Sequence, residues 1–485
     1  MNIKIQLKIP GLFLALLFFQ IGFYAQGAII FSKADSPHMI TEDYIVENYD
    51  TIIFEAGSVV IVSPYVSIIT NGVVMMEGTA NNPISILPEV EVIGWGKIDI
   101  VSNGTSYFSH VSITDGSLWS KFCNMTLDHV VFNNTQNLPW NNPILFVRNA
   151  SVDINNSSIF GNYTGEGFQM LNSEEVVVKN CYFNRIPDAV ELTNIVGGHI
   201  SKNWFDDIPD DGIDLNNCTN TLIDSNIIIN AYDRGIEIGS ENNGNSENIL
   251  VKRNVLIDCD KGITFKEESF GQVINNTFYG NNIGLSCIAD NAPRSGSFAN
   301  IQNCIFSNSV EMDVYNDSNS IVNIEYCLSD TDILQGNNNI HGNPMFIDVS
   351  DYNFNLQGNS PCINAGNPEL PLDSDSSISD IGAFFFNPDT TIINDQKEAF
   401  QSIKIFPNPF DDNFVISWFS AINSSVSVKL FDIYGSMISI NNENDQASIQ
   451  KTIRIIPVDK LKSNMVVICN ISINDKSKSY LLIHK

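Results

Sequence analysis

Carboxyl side chains recur at matching positions in the middle of the chain. Glu191, Asp214 and Glu237 follow one another at 23-residue intervals. Further acids come shortly before each of these positions: Asp188, Asp210, Asp211, Asp233 and Asp260. Residues that recur at the period of a structural repeat stack on one another, because successive repeats lie side by side. The sequence therefore predicts a dense patch of carboxyl groups.

Such a stack has a defined electrostatic cost. Two carboxylates about 5 Å apart repel each other by roughly 1 kcal/mol in water and by about 3 kcal/mol at an effective dielectric near 20. The repulsion favours a shared proton or a bound cation. Ca²⁺ suits the patch because this hard ion accepts about six to eight oxygen ligands. The hypothetical calcium site consists of Asp210, Asp211, Asp214 and Glu237.

The same acids can also do chemistry on a sugar. A pair of carboxyl groups hydrolyses a glycosidic bond at separations of about 5 to 9.5 Å, one as acid and one as base or nucleophile. Asp211 with Asp214 or Asp233 is the pair to test, and Glu191, Glu237 and Asp233 are candidate binding residues. A purely structural role is the alternative, because Asp caps a coil corner and Gly212 permits the backbone bend.

The elements that must position these acids are short strands. Each strand reads small, apolar, polar, apolar, which predicts one buried and one wet face. Equivalent residues on successive coils are then about 4.8 Å apart. Six segments share this pattern at intervals of 22 to 27 residues: Gly167-Phe-Gln-Met, Ala189-Val-Glu-Leu, Gly212-Ile-Asp-Leu, Gly235-Ile-Glu-Ile, Gly262-Ile-Thr-Phe and Gly284-Leu-Ser-Cys.

A second strand follows each of these strands and ends on Asn or Cys. Stacked Asn side chains form hydrogen-bonded ladders, and Asn also tolerates the left-handed backbone of a tight corner. Cys in the same position is a small buried residue, which favours free thiols over disulfides. The positions are Cys181, Asn203, Asn226, Asn254, Asn276, Cys304 and Cys327.

The repeat predicts an all-β right-handed parallel β-helix, since no central segment has helical periodicity. Closely spaced strands between Asp50 and Ile86 are expected to cap its start. The motifs Gly342-Asn-Pro-Met-Phe-Ile-Asp, Ser360-Pro-Cys-Ile-Asn-Ala-Gly and Ser379-Asp-Ile-Gly-Ala-Phe resemble the closing coils of a large class of bacterial right-handed β-helix proteins. That resemblance covers roughly residues 45 to 386, and the class includes lyases, hydrolases and adhesins.

One short segment resembles a site within that class. Pro209-Asp-Asp-Gly-Ile-Asp214 is similar to the calcium-binding strand of some β-helix polysaccharide lyases. The resemblance implies a metal that neutralises a uronate carboxylate and a Lys or Arg that removes the adjacent proton. Arg234, Lys261 and Lys266 are the nearby candidates, so the candidate catalytic residues are Asp211, Asp214, Arg234 and Lys261. Trp204 and Tyr232 can supply sugar-stacking surface.

The two ends of the chain indicate export. Lys4 and Lys8, an apolar run and Ala25 have the order of a secretory signal peptide, residues 1–25. Residues 26–386 are then the β-helix with its N-terminal cap, and 387–400 a linker. Residues 401–485, with Phe406-Pro-Asn-Pro409, resemble the C-terminal sorting domain of type IX (Por) secretion. The resemblance implies a small β-sandwich that engages the type IX machinery and takes the protein through the periplasm to the cell surface or medium.

The composition of the chain limits the classes of molecule that it can bind. The formal net charge of −30 repels nucleic acids and anionic membranes. The mature chain has no apolar run of membrane-spanning length. An extracellular polysaccharide is the expected partner, bound or acted on. A Ca-dependent polysaccharide lyase, a glycosidase, and a non-catalytic adhesin or structural exoprotein stay open as alternatives.

Overall fold

A computed structural model shows a parallel β-solenoid of about 12 turns. It describes residues 27–46, 50–90, 93–136, 138–139, 142–240, 244–289, 295–350 and 352–386, together with the C-terminal strands given below. The predicted signal peptide and linker lie outside the described residues. No helix of membrane-spanning length and hydropathy occurs in the described part of the chain.

Short strands begin the solenoid. They are β1 (Ala28–Phe31), β2 (His38–Ile40), β3 (Tyr44–Val46), β4 (Thr51–Phe54), β5 (Val59–Val62), β6 (Ile68–Thr70), β7 (Val74–Glu77), β8 (Ile84–Pro88), β9 (Lys97–Val101), β10 (Thr105–Thr114), β11 (Ser117–Lys121) and β12 (Asn124–Asn133). The early coils thus continue the same parallel stack as the later ones.

The acid-bearing coils follow. Their strands are β13 (Pro143–Arg148), β14 (Val152–Asn155), β15 (Ser158–Phe160), β16 (Glu166–Lys179), β17 (Tyr182–Asn184), β18 (Val190–Ser201), β19 (Trp204–Ile208), β20 (Ile213–Asn216), β21 (Thr219–Asp224), β22 (Ile227–Ala231), β23 (Arg234–Gly239), β24 (Ile249–Lys252), β25 (Val255–Ile257) and β26 (Lys261–Lys266).

The last coils close the solenoid. They contain β27 (Phe270–Ile274), β28 (Thr277–Tyr279), β29 (Ile283–Ile288), β30 (Phe298–Gln302), β31 (Ile305–Ser307), β32 (Met312–Asn316), β33 (Ile321–Glu325), β34 (Leu328–Ser329) and β35 (Ile340–His341).

Each coil contributes strands to three faces, and one face carries the acids. We call it the site face, and its strands pair in parallel from coil to coil: β3, β6, β9, β11, β13, β16, β18, β20, β23, β26, β29 and β32. Val190 pairs with Ile213, Ile213 with Ile236, and Ile236 with Ile263. The alignment made from sequence is therefore confirmed residue by residue on this face.

Apolar side chains fill the interior of the solenoid. Phe183 stacks on Phe205 with ring centroids 4.9 Å apart, and Phe278 stacks on Phe306 at 4.6 Å. Complete burial of a large apolar side chain stabilises a fold by about 1.5–3 kcal/mol. Because each coil repeats such residues, every added coil extends the core by one layer.

The predicted Asn ladder lies inside the solenoid. The side-chain amide of Asn203 donates to the side-chain oxygen of Asn226 at 2.9 Å, and Asn226 donates to Asn254 in the same way. The left-handed backbone falls one residue earlier than expected, for example at Lys202 (φ 56°) and Ser225 (φ 59°). The ladder Asn residues thus satisfy buried polar groups, whereas the preceding residues turn the corner. All nine cysteines are free and buried.

The motifs that resemble closing coils fold differently from coils. In residues 359–385 the structure has turns and no strand. The segment packs back on the solenoid, where the Asn275 side-chain amide donates to the Asp380 carbonyl at 2.7 Å. The Asn303 side chain accepts from the Asn367 amide at 2.8 Å. It therefore braces earlier coils rather than extending the stack.

A second compact unit comprises Phe346–Gly358 and Phe386–Lys485. All its strand pairs are antiparallel among the described residues. Its strands are β36 (Phe346–Asp348), β37 (Asn353–Leu356), β38 (Lys404–Phe406), β39 (Phe414–Phe419), β40 (Ser425–Asp432), β41 (Met437–Asn444), β42 (Gln450–Ile455), β43 (Val466–Ile473) and β44 (Lys476–Ile483). The C-terminal region thus forms a three-stranded and a four-stranded sheet, in keeping with the predicted sandwich.

Candidate functional site

The predicted column of polar residues exists on the site face. Gln169 pairs with Glu191, Glu191 with Asp214, and Asp214 with Glu237. The Gln169 amide donates to the Glu191 carboxylate at 2.6 Å, and the Asn216 amide donates to Asp214 at 2.8 Å. Parallel pairing thus brings residues 22 or 23 positions apart into direct contact.

The second group of acids separates into two columns. Asp188, Asp211 and Arg234 form the first column: each lies two residues before one of the paired residues Val190, Ile213 and Ile236. Arg234 itself pairs with Lys261 in the next coil. Asp210, Asp233 and Asp260 lie one residue earlier. The acids that precede each strand therefore form two neighbouring columns at the coil corner, not one. One of them changes from acidic to basic after Asp211.

Small residues explain why the acids can stand at this corner. A methyl group on Gly212 would lie 2.6 Å from the carbonyl oxygen of Gly235, and one on Gly235 would lie 2.7 Å from that of Gly262. Such distances are shorter than van der Waals contact, so the backbone turns closely from coil to coil only with glycine here. The acid-glycine pattern is therefore needed by the fold as well as by the site.

On the outer face of these strands, the column is half-buried from Gln169 to Asp214 and buried from Glu237 to Ser286, which corrects the expected wet face. Glu237 is 3 % exposed, and Thr264 and Ser286, the next residues of the column, are 0 % and 1 % exposed. Thr264 and Ser286 satisfy each other through a 2.8 Å hydroxyl contact. The acids consequently lie in a low-dielectric environment, where their interactions are stronger than at an open surface.

Arg234 is the central cation. Its Nη1 lies 2.5 Å from Asp233 Oδ2, 2.7 Å from Glu237 Oε2 and 3.7 Å from Asp211 Oδ2. Its backbone N–H donates to Asp211 Oδ1 at 2.9 Å. The second oxygen of Glu237 forms an ion pair with Lys266. Two protein cations thus compensate the buried Glu237 carboxylate.

The acids form two overlapping groups rather than one. One oxygen from each of Asp188, Asp210 and Asp211 lies within 4.8 Å of the others, and the same holds for Asp211, Asp214 and Glu237. We call these five residues the acid cluster. The four predicted calcium ligands all belong to it, but both Glu237 oxygens face protein cations. Asp210 and Asp211, together with Asp188, are the better fit to a hard cation, and the calcium site stays a prediction.

Burial and mutual repulsion favour the protonated forms of this cluster. Desolvation, then repulsion from Asp210 and Glu191, raises the pKa of Asp188 to about 7. Desolvation, then Glu237, raises the pKa values of Asp211 and Asp214 well above the ordinary range. Shifts in this direction are those that a general acid requires.

Three polar atoms of the acid cluster and its arginine form no hydrogen bond among the described residues. They are Asp214 Oδ1, Arg234 Nε and Glu237 Oε2, of which the last is in an ion pair with Arg234 Nη1. Most buried polar groups in folded proteins find a partner, and exceptions often mark a functional site. All three atoms belong to residues that were predicted from the sequence.

The accessible edge of the site carries the remaining predicted residues. The side chain of Asp233 is 35 % exposed, and it contacts the Lys261 amine at 3.3 Å as well as Arg234. Lys261 also contacts Asp260 at 2.6 Å. Desolvation lowers the pKa of Lys261, but the contacts with Asp260 and Asp233 outweigh it, so the pKa is raised overall.

One residue of the site was missed. Glu166 stands at the start of β16, one coil before Asp188, and it is 5 % exposed. Desolvation, then Glu191 and Asp188, raises its pKa to about 8. The signal was present, because Glu166 precedes Gly167 as Asp188 precedes Ala189 and Asp211 precedes Gly212.

Comparisons with known families match two parts of the chain. Residues 118–254 match the family described as right handed beta helix region. Residues 404–479 match the secretion system C-terminal sorting domain. A search of curated proteins by sequence finds no match.

Solved structures of low sequence identity also align with the chain. A periplasmic alginate epimerase, AlgG, is 10 % identical over 58 % of this chain and 78 % of its own, with a TM-score of 0.33. The mannuronan C-5 epimerase AlgE4 A-module of Azotobacter vinelandii is 11 % identical over 65 % and 100 %, with a TM-score of 0.28. PfbA, a surface adhesin of Streptococcus pneumoniae, is 12 % identical over 64 % and 89 %, with a TM-score of 0.30.

Proposed function

Because the chain is a secreted right-handed parallel β-helix protein with a type IX secretion C-terminal sorting domain, we propose that it hydrolyses an extracellular polysaccharide at the acid cluster. One observation carries the proposal. Carboxyl groups from successive coils lie within 4.8 Å of one another, and burial raises the pKa values of several of them.

Asp211 is the proton donor in this proposal. It is 4 % exposed, and its pKa lies well above the ordinary range. The proton passes from Asp211 to the glycosidic oxygen as the bond to the sugar breaks. The leaving sugar thereby departs as an alcohol, and Asp211 becomes a carboxylate beside Arg234.

Asp188 is the partner carboxyl group. Its pKa of about 7 leaves a substantial ionised fraction near neutral pH. One oxygen of Asp188 lies within 4.8 Å of one oxygen of Asp211. This separation is shorter than the roughly 5–5.5 Å of retaining glycosidases and far below that of inverting ones, so the proposed reaction is the retaining one, in which the second carboxylate attacks the anomeric carbon. Water then hydrolyses the glycosyl ester, and Asp211 takes up the proton of that water.

The cations support hydrolysis better than proton abstraction by a basic side chain. Arg234, Lys261 and Lys266 all contact carboxylates, and these contacts raise their pKa values. A base must be unprotonated at the working pH, which these residues resist. In the proposed reaction Arg234 therefore stabilises the Asp211 carboxylate that forms during turnover, while Lys261 holds Asp233 and Asp260 at the accessible edge.

Product analysis tests the reaction class. We expect the purified mature protein to release new reducing ends from at least one polysaccharide in a panel of neutral and acidic polymers, with no unsaturated product. Asp211→Asn is expected to lower the rate by about 100-fold or more, the usual effect of losing a general acid. Asp224→Asn, on a carboxylate paired with exposed Arg253, is the matched control and keeps full activity.

Three results would contradict the proposal. Unsaturated product, followed by ultraviolet absorbance with and without Ca²⁺, would indicate a lyase. Full activity in Asp211→Asn would remove the proton donor. Binding without turnover on the whole panel would favour the non-catalytic adhesin.

A further inference from the structure

Two exposed tyrosines flank the acid cluster and share one carboxylate. The Tyr163 hydroxyl donates to Asp207 Oδ2 at 2.6 Å, and the Tyr232 hydroxyl donates to Asp207 Oδ1 at 2.8 Å. Tyr163 is 44 % exposed and Tyr232 is 61 % exposed. Arg185 contacts the same carboxylate at 3.5 Å, and its guanidinium carbon lies 5.7 Å from the Tyr163 ring centroid.

The coil stacking places these rings next to the acids. Asp207 lies three residues before Asp210, and Tyr232 directly precedes Asp233. Tyr163 lies three coils from Tyr232, so their backbones are about 14 Å apart along the solenoid. Both hydroxyl groups reach Asp207, which lies on a coil between them, and Tyr232 adjoins Asp233 at the accessible edge of the acid cluster.

The fold itself gains little from these rings. Exposed side chains contribute little to the core, whereas an aromatic ring held by a hydrogen bond keeps its orientation at low entropic cost on binding. Each oxygen of Asp207 accepts a hydrogen bond from one of the two tyrosine hydroxyls and so holds that ring in place. The arrangement is that of a preformed contact surface.

We propose that Tyr163 and Tyr232 form a sugar-binding subsite for an uncharged polysaccharide, whose rings pack on the tyrosines beside the acid cluster. This inference names the substrate class of the proposed function and relies on that function only for the reaction. The faces of sugar rings present C–H groups that pack on aromatic surfaces, while the polar edge of tyrosine remains available for hydrogen bonds. Hydroxyl groups of the polysaccharide can also contact Asp207 and Asp233.

Charge decides between neutral and anionic polymers. The rim of the subsite carries Asp206, Asp207, Asp210, Asp233 and Asp260. Arg185, Arg234 and Lys261 contact three of these aspartates, namely Asp207, Asp233 and Asp260. The five carboxyl groups outnumber the three cations, so a polymer of uronates or sulfated sugars would meet net negative charge, which opposes association.

Binding measurements test the subsite apart from turnover. The probes are soluble β-glucan, xylan and galactomannan as neutral polymers, and alginate and polygalacturonate as anionic ones. We expect calorimetry at low salt to show binding of a neutral polymer by the full mature chain and no binding of the anionic pair. The variant Tyr163→Ala/Tyr232→Ala is expected to weaken that binding by about tenfold or more, the equivalent of about 1.4 kcal/mol.

Tyr65→Ala is the matched control, because Tyr65 is 80 % exposed in an early coil away from the site face acids. It should bind like the unaltered protein. The inference fails if alginate binds as tightly as the neutral polymers, if none of the neutral polymers binds, or if the double variant keeps full affinity while its thermal unfolding is unchanged.

A further variant separates the two proposals. Asp211→Asn is expected to retain binding of the neutral polymer and lose turnover. Binding that depends on the tyrosines without any turnover in the unaltered protein would overturn the hydrolase and leave the subsite intact. If Tyr163→Ala/Tyr232→Ala keeps turnover with an unchanged KM, the tyrosine subsite would be overturned and the hydrolase would stand.

Discussion

Arg234 shows how one residue makes the acid cluster compatible with folding. Its Nη1 contacts carboxylates from three positions, and its side chain is only 18 % exposed. Removing one partner of a buried ion pair leaves an uncompensated charge and costs about 3 kcal/mol or more. We expect Arg234→Gln to reduce the free energy of unfolding by about that amount, measured by chemical denaturation.

The surface pair Arg253 with Asp224 provides the control. Arg253 is 50 % exposed and contacts Asp224 at 2.7 Å. Exposed ion pairs contribute about 0–1 kcal/mol, so Arg253→Gln should change stability by less than about 1 kcal/mol. Equal losses in the two variants would show that the site arginine does not balance buried charge.

Protonation of the buried acids also makes stability depend on pH. Glu166 and Asp188 have pKa values of about 8 and about 7 in the folded chain, above those of unfolded carboxyl groups. Between about pH 4.5 and 8 the folded state therefore binds more protons than the unfolded state, and stability falls as pH rises. We expect the melting temperature to be several degrees higher at pH 5 than at pH 8.

Two neutral substitutions check the origin of this slope. Glu166→Gln and Asp188→Asn remove two of the groups with raised pKa values and leave Asp210, Asp211 and Asp214, so the melting temperature of the double variant should vary less between pH 5 and 8 without becoming constant. His110, whose pKa is lowered mainly by desolvation, contributes in the opposite direction near pH 6. A slope that persists in the double variant would assign the effect to other residues.

The sequence predicted the identities of the site residues better than their surroundings. Asp214 and Glu237 were aligned correctly because a fixed interval in a solenoid translates directly into contact. The burial of Glu237 was missed, since it depends on how the long side chains of Arg234 and Lys266 fold over the strand, which spacing does not encode. The column that joins Asp188 to Asp211 and Arg234 was also missed, although its 23-residue intervals were present in the sequence, because the change from acid to arginine hid the repeat.

At the scale of the coil, the internal Asn ladder is the main polar element of the core. Asn226 accepts from the Asn203 backbone amide at 3.0 Å and from its side-chain amide at 2.9 Å, and it donates to the Ile200 carbonyl at 3.0 Å. Asn226→Ala would leave these buried groups without a partner. Each such group costs about 1–3 kcal/mol, so we expect a clear loss of thermal stability and faster hydrogen exchange at the Asn203 amide.

Asn226→Cys should be tolerated better than alanine. Cys304 occupies the same position in a later coil, and its sulfur accepts from the Asn276 backbone amide at 3.4 Å. A thiol at position 226 can accept from Asn203 in the same way, so the expected loss is roughly half that of alanine. Asn337→Ala removes one exposed side-chain hydrogen bond, to Glu325, and is the control; it should cost less than about 1 kcal/mol. A cysteine variant as unstable as alanine would contradict this account.

The coil corners show why some elements could not be predicted. Asn in the repeat has two uses, and composition does not distinguish a ladder Asn such as Asn226 from a corner Asn such as Asn180, which has a φ of 55°. The motif Ser379-Asp-Ile-Gly-Ala-Phe was interpreted as a coil because it resembles the end of other β-helices. Its polar groups instead satisfy corner residues of earlier coils, a long-range contact that local pattern does not encode.

At the scale of the whole molecule, the sorting domain and the acid cluster, where we propose hydrolysis, belong to separate units. The β-helix holds the acid cluster within residues 188–237, whereas the sorting-domain match covers residues 404–479. Because the coils contact mainly their neighbours, the solenoid does not need the C-terminal sheets in order to fold. The two functions should therefore be separable by truncation.

Removing residues 387–485 in the native host tests this separation. We expect the truncated protein to accumulate in the periplasm, with the thermal unfolding of an intact β-helix, and to be missing from the medium and cell surface. Fractionation and immunoblotting measure the distribution, and residues 387–485 fused to a periplasmic reporter should carry that reporter outward. If the truncated chain still reached the surface, an export signal would have to lie within the β-helix itself, and the C-terminal unit would need another role.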